Sequence, residues 1–207
     1  SDGGALYLYG DHSTPAWVVN SLFASNRTQN NQGDALYVFG ARSASSVVLL
    51  HNTIANPALE DGAAIRVRFG TVAITNTIIA SQTIAIERVG GTVSEDYSLF
   101  ADVSTPFSGT VTAGTHSITG TADFNDTIAY TLKDSSAALD AGVNVGITSD
   151  YFGDPRPHGG GFDIGYDEMV PIQFCFTSLD GAMTFASSAD SQAVRDAVAA
   201  AASGSTV

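Results

Sequence analysis

Five carboxylates, Asp150, Asp154, Asp163, Asp167 and Glu168, crowd into nineteen residues around a single Arg156. Two kinds of chemistry suit such a set. A guanidinium flanked by carboxylates forms charge-assisted, often bidentate hydrogen bonds that pin loops together. Hard oxygen donors on glycine-rich loops also suit Ca²⁺, and for that role Asp150, Asp154, Asp163 and Asp167 are the candidate ligands. We favour the pinning role and expect no cofactor. In the neighbouring run Gly159-Gly-Gly-Phe-Asp163, a calcium-binding nonapeptide repeat would need glycine where Phe162 stands, and the run occurs once.

A second constellation lies near the N-terminus, where Tyr7, Tyr9, Tyr37 and Phe39 are joined by Arg66 and Arg68. Amphipathic aromatics serve as glycan platforms and as protein contacts. They also pair with one another across strands with no ligand, at up to about 1 kcal/mol a pair. Other chemistry is sparse. His12, His51, His116 and His158 are scattered with no Ser-His-Asp arrangement to unite them, and Lys133 is the only lysine.

Whether the aromatics share a face depends on the strands that carry them. Gly3-Gly-Ala-Leu-Tyr-Leu-Tyr-Gly10, Gly33-Asp-Ala-Leu-Tyr-Val-Phe-Gly40 and Gly62-Ala-Ala-Ile-Arg-Val-Arg-Phe-Gly70 are variants of one unit. Leu6 to Leu36 is 30 residues and Leu36 to Ile65 is 29, one coil of a solenoid and too short for a domain. If Leu6, Leu36 and Ile65 stack inward, Tyr7 and Tyr37 stack outward above Arg66, and Tyr9 and Phe39 above Arg68. A second motif keeps pace: Val18-Val-Asn20-Ser-Leu22, Leu50-His-Asn52-Thr-Ile54, Ile74-Thr-Asn76-Thr-Ile78 and a degenerate copy at Val93–Leu99. Alternation then predicts inward columns Val18/Leu50/Ile74 and Leu22/Ile54/Ile78. Between them Asn20, Asn52 and Asn76 form an internal amide ladder. Beyond Ala101 the motif fades, with Phe107, Val111, Ile118, Phe124 and Ile128 as expected inward anchors.

Composition agrees with a turn-rich all-β chain: 44% hydrophobic, 14% charged, 21 Gly in 207 residues. A net charge of −13 argues against nucleic acid and anionic membranes as partners, since both require a basic footprint. One cysteine, Cys175, allows no internal disulfide.

The densest stretch is the most specific. Ser136-Ala-Ala-Leu-Asp-Ala-Gly142, Asp150-Tyr-Phe-Gly-Asp-Pro-Arg156 and Asp163-Ile-Gly-Tyr-Asp-Glu168 resemble the terminal coil of right-handed parallel β-helix proteins of the choice-of-anchor Q domain group. Asp140, Gly142, Asp150, Gly153, Pro155, Arg156, Asp163, Ile164, Gly165 and Glu168 match; Ala137, Leu139 and Tyr166 stand where that pattern has Pro, Ile and Ala. Gly3-Gly-Ala-Leu6 and Phe23-Ala-Ser-Asn26 are similar to polymorphic outer-membrane protein repeats.

The expectation is an all-β, right-handed parallel β-helix over residues 1–168. Residues 169–207 then form a hairpin around Leu179-Asp-Gly181 and a short helix, capped by Asp190 or Ser191 and running to about Ala202, either as a linker and the start of a further module or as a helix folded back over the end of the first stack. The resemblance implies a bacterial secreted or cell-surface protein. We expect a structural or adhesive segment, a fibre subunit among its forms, whose partners are further coils of a parent chain, copies of itself stacked head to tail, or a glycan. The outward coil positions carry no carboxylate pair of the kind that polysaccharide lyases and hydrolases need. The alternative is a polysaccharide-binding or polysaccharide-cleaving β-helix whose site lies largely outside this segment.

Overall fold

The computed structural model describes residues 4–10, 14–28, 33–40, 46–170, 173–177 and 183–187. The chain divides into two compact units, residues 1–169 and 170–207.

The first unit is a stack of parallel strands. Its larger sheet runs β1 (Leu6–Gly10), β4 (Leu36–Gly40), β6 (Thr53–Phe69), β8 (Ile78–Arg88), β10 (Leu99–Ser108), β12 (Ile118–Thr119), with β3 (Leu22–Ala24) also on β6. The smaller sheet runs β2 (Ala16–Val19), β5 (Ser46–Leu50), β7 (Thr71–Thr75), β9 (Thr92–Asp96), β11 (Thr112–Ala113). All of these pairings are parallel. Leu6, Leu36, Ile65, Ile86 and Phe107 occupy one rung position in successive turns, so the repeat shortens to 21 residues after Ile65.

Two kinds of corner make these turns. Asn20, His51, Asn76 and Tyr97 share a register position where each smaller-sheet strand ends, and all four have φ between 46° and 54°. Among non-glycine residues, left-handed backbone is enriched in Asn and His and is rarer for Tyr. At the corners before β7, β9 and β11 stand Gly70, Gly91 and Gly109. A Cβ on Gly91 would lie 2.3 Å from the Gly70 carbonyl oxygen, so this corner admits no side chain.

Val47, Leu49, Val72, Ile74 and Val93 meet Leu36, Val38, Ile54, Ile65, Val67, Ile79, Ile86 and Phe100 in one apolar core. A second core lies on the opposite face of the Leu22–Ala24 rung. There Ala55, Ile78, Ala80, Leu99 and Ala101 are covered by Ala122, Tyr130, Leu132, Ala138 and Ile164 of the segment that follows β12.

The register corrects the expected columns. Val18 aligns with Leu49, not Leu50, and Phe23, Ile54, Ile79 and Phe100 are the inward set, while Leu22 and Ile78 face the covering segment. A one-residue slip exchanges faces, and the αL corner residue introduces such a slip into a count based on alternation. The amide ladder is corrected with it: Asn20 and Asn76 align with His51, and Asn52 stands one position later. Phe107, Val111, Ile118 and Phe124 pack against the cores, but Ile128 is exposed.

The second unit contains β13 (Gln173–Thr177) and β14 (Met183–Ser187), paired antiparallel as a hairpin. The helix expected from Asp190 lies outside the described residues, as does His12; among the described residues there is no helix.

Candidate functional site

The polar corner column is the seam on which the segment after β12 is laid. Asn76 donates from Nδ2 to the Val143 carbonyl at 2.7 Å and accepts from the Val143 N–H at 3.0 Å, while its own carbonyl accepts from Gly165 N–H. Asn20 Nδ2 donates to the Ser149 carbonyl at 2.7 Å. Between them His51 is fully buried, with Nε2 2.9 Å from Asn76 Nδ2 and its ring 6.4 Å from that of Phe162. Burial, and then the nearby Arg156 charge, hold the His51 imidazole down at about 3. It is therefore neutral at ordinary pH. Asn52 ties its strand end to the preceding one, donating to Val18 O and accepting from Ser21 N–H. The expected column of Asn20, Asn52 and Asn76 is thus replaced by one in which His51 takes the place of Asn52, and its side chains serve the covering segment more than one another.

The acidic cluster lies at the heart of that segment. Arg156 and Glu168 have fully buried side chains and form an ion pair, Nη1 to Oε2, at 2.7 Å. Arg156 also donates to the carbonyls of Asp163 and Gly165. Glu168 accepts from the N–H of His158 and of Asp163. Asp150 accepts from the N–H of Phe152, Asp154 and Glu168, Asp163 from those of Asp140 and Met169, and Asp167 from that of Leu132. Asp140, known from the sequence only as a motif match and not as part of this cluster, does the same for Gly160 and Gly161. Loops buried without sheet partners must satisfy their N–H groups somewhere, and here the carboxylates do it. Burial raises Asp163 to about 7 and Asp167 to about 6, and lowers Arg156 despite its acidic neighbours.

Of the four candidate calcium ligands, Asp150, Asp163 and Asp167 each point at separate backbone donors, and Asp154 contributes its N–H. Among the described residues, no group of three or more His, Cys, Asp or Glu is arranged to hold a metal ion.

The aromatic constellation lies on the larger sheet. Tyr7, Tyr37 and Arg66 share one register position. Tyr37 is 1% exposed, and Arg66 is paired with Glu87 at 3.0 Å, so neither offers a free surface. The other column departs from the expected one: a bulge after Val38 puts Phe69 beside Phe39, and Arg68 is displaced. The outer rings run Tyr9, Phe39, Phe69 with centroids 5.7 and 5.3 Å apart, and Tyr7 stacks 6.3 Å from Tyr9. Tyr9 is 60% exposed, and Tyr7 and Phe69 are also open. Arg68, exposed, holds its guanidinium 5.5 and 5.9 Å from the Phe39 and Phe69 centroids. The sequence located four of the five contributors to the strip, Tyr7, Tyr9, Phe39 and Arg68, and Phe69 was missed because a bulge leaves no mark on simple alternation.

Comparison of the chain with protein-family models, with curated proteins and with solved structures finds no match.

Proposed function

We propose that residues 1–168 are a segment of a right-handed parallel β-helix serving as a structural and adhesive part of a secreted or surface-anchored bacterial protein, with no catalysis of its own. Consecutive turns add strands in the same order to both sheets, and parallel crossovers within a sheet are right-handed in nearly every case. The terminal motifs similar to the choice-of-anchor Q group are the ones whose carboxylates cap backbone, which suits a structural terminal coil.

The observation that carries the adhesive part is the strip of exposed Tyr7, Tyr9 and Phe69 around the half-buried Phe39, with Arg68 stacked on it. Cross-strand pairing alone would not require such exposure, and contiguous exposed apolar surface marks interaction sites. A glycan is the partner we favour, because its apolar sugar faces stack on rings while its hydroxyls stay wet.

A glycan array probed with the purified chain tests this. Binding should fall at least tenfold in Tyr9→Ala and Phe69→Ala, while polysaccharide substrates remain uncut. An array without signal would remove the adhesive role. Turnover of pectin or alginate, abolished by one Asp or Glu substitution, would replace this reading with a polysaccharide-cleaving β-helix.

A further inference from the structure

The loop capped by Asp150 turns two large aromatic side chains outward: Tyr151 is 63% and Phe152 52% exposed. With Leu22, Ala129 and the buried Tyr166 they line a cleft of about 350 Å³, within the range of clefts that take small ligands. Its walls are fixed in advance. Asp150 Oδ1 holds the N–H of Phe152 and of Asp154 at 2.8 Å each. Tyr151 N–H donates to the Tyr166 carbonyl, Tyr166 N–H to Thr53 Oγ1, and the Tyr166 hydroxyl to the Ala129 carbonyl. The three rings cross at steep angles, with Tyr151 5.1 Å from Phe152 and 5.6 Å from Tyr166, and Phe152 5.7 Å from Tyr166.

Three carboxylates, Asp126, Asp150 and Asp167, act on the Tyr166 phenol at this cleft. Asp126 caps the N–H groups of Ile128 and Ala129 beside the lining residue Ala129. Burial, and then the charges of Asp167, Asp126 and Asp150, raise the Tyr166 phenol, so the negative potential reaches the cleft. The cation of this region, Arg156, is buried and occupied by Glu168. Aromatic rings in a negative field attract cations and repel anions.

We propose that the cleft of Leu22, Ala129, Tyr151, Phe152 and Tyr166 binds a cation on an aliphatic stem, an alkylguanidinium or alkylammonium. The aliphatic stem matches Leu22 and Ala129, and the charged head matches the rings and the acidic surround. This site shares no residue with the glycan strip and stands independently of the adhesive role.

Isothermal titration and NMR with butylguanidinium and butylammonium test it on the full chain, with butyramide, butyrate and methyl glucoside as comparisons. The cations should bind saturably, about 2- to 30-fold tighter than butyramide, and butyrate should not bind. Binding should weaken in salt, weaken severalfold in Asp126→Asn, and be lost in Tyr151→Ala and Phe152→Ala. These two side chains are exposed, so both variants should keep their unfolding midpoint; Tyr9→Ala should bind cations normally. An arginine-containing peptide that binds more tightly than butylguanidinium identifies a partner protein as the source, and equal affinity identifies a free amine. Butyramide or methyl glucoside binding as tightly as the cations would overturn the proposal. So would the absence of saturation by either cation at millimolar concentrations.

Discussion

Arg156 and Glu168 form the pair on which the covering segment depends most. Removing one partner of a buried, hydrogen-bonded ion pair leaves an uncompensated charge, at a cost of about 3–5 kcal/mol. Arg156→Met and Glu168→Gln should each lose that much in chemical denaturation; losses under about 1 kcal/mol would show that water reaches the pair. Titration gives a second residue-scale prediction, with two opposed slopes. His51 is lowered from 6.5 to about 3, so from pH 6.5 down to 3 the unfolded chain takes up the proton first and stability falls as pH falls. Asp163 is raised from 3.8 to about 7 and Asp167 to about 6, so above pH 3.8 the unfolded chain releases protons first and stability falls as pH rises, to pH 7 and 6 respectively. His51→Gln should therefore flatten the acid limb of a melting-temperature profile. Asp163→Asn should gain on the wild type between pH 4 and 7. A wild-type profile unchanged by either substitution would contradict the burial argument.

At the scale of elements, the strands and corners differ in how openly the sequence declares them. The β1, β4 and β6 rungs were legible because Leu6, Leu36 and Ile65 sit in repeated Gly-flanked alternations, and the register joins those residues. The corners were less legible. An αL residue reads in sequence like another strand position, so Asn52 was aligned with Asn20 where the structure puts His51. The acidic cluster was visible in composition and spacing, and its role as a set of backbone caps required knowing which N–H groups the fold would leave without sheet partners. Cys175 lies in β13, and its sequence context gave no role beyond packing. The glycine corner yields a prediction of its own. Gly91→Ala and Gly109→Ala each drive a Cβ to 2.3 Å from a carbonyl oxygen at positive φ, and should cost about 1–3 kcal/mol or more. Gly146→Ala meets nothing within 4 Å, and its cost should be limited to its φ of 82°. Equal losses at all three sites would mean that the corners yield more easily than their contacts imply.

For the whole molecule, the strand edges matter first. β1 and β2 are end strands of their sheets, each paired on one side among the described residues. Open edges recruit strands, and a head-to-tail contact of this kind propagates without closing. Sedimentation should therefore show mass rising with concentration, and a monomer at every concentration would end the fibre reading. A different consequence follows from the covering segment. Stacked repeats ordinarily form and fray one unit at a time, because each touches only its neighbours. Here Asn20 reaches Ser149, 129 positions away, and Asn76 reaches Val143. Such distant closures raise contact order and slow folding. During synthesis the outer row of Leu22, Ile78 and Leu99 emerges well before Tyr130, Leu132 and Ile164, which later shield it. The nascent chain thus carries a sticky apolar ridge until the residues up to Ile164 have been made, and the interval between the two is when aggregation competes with folding.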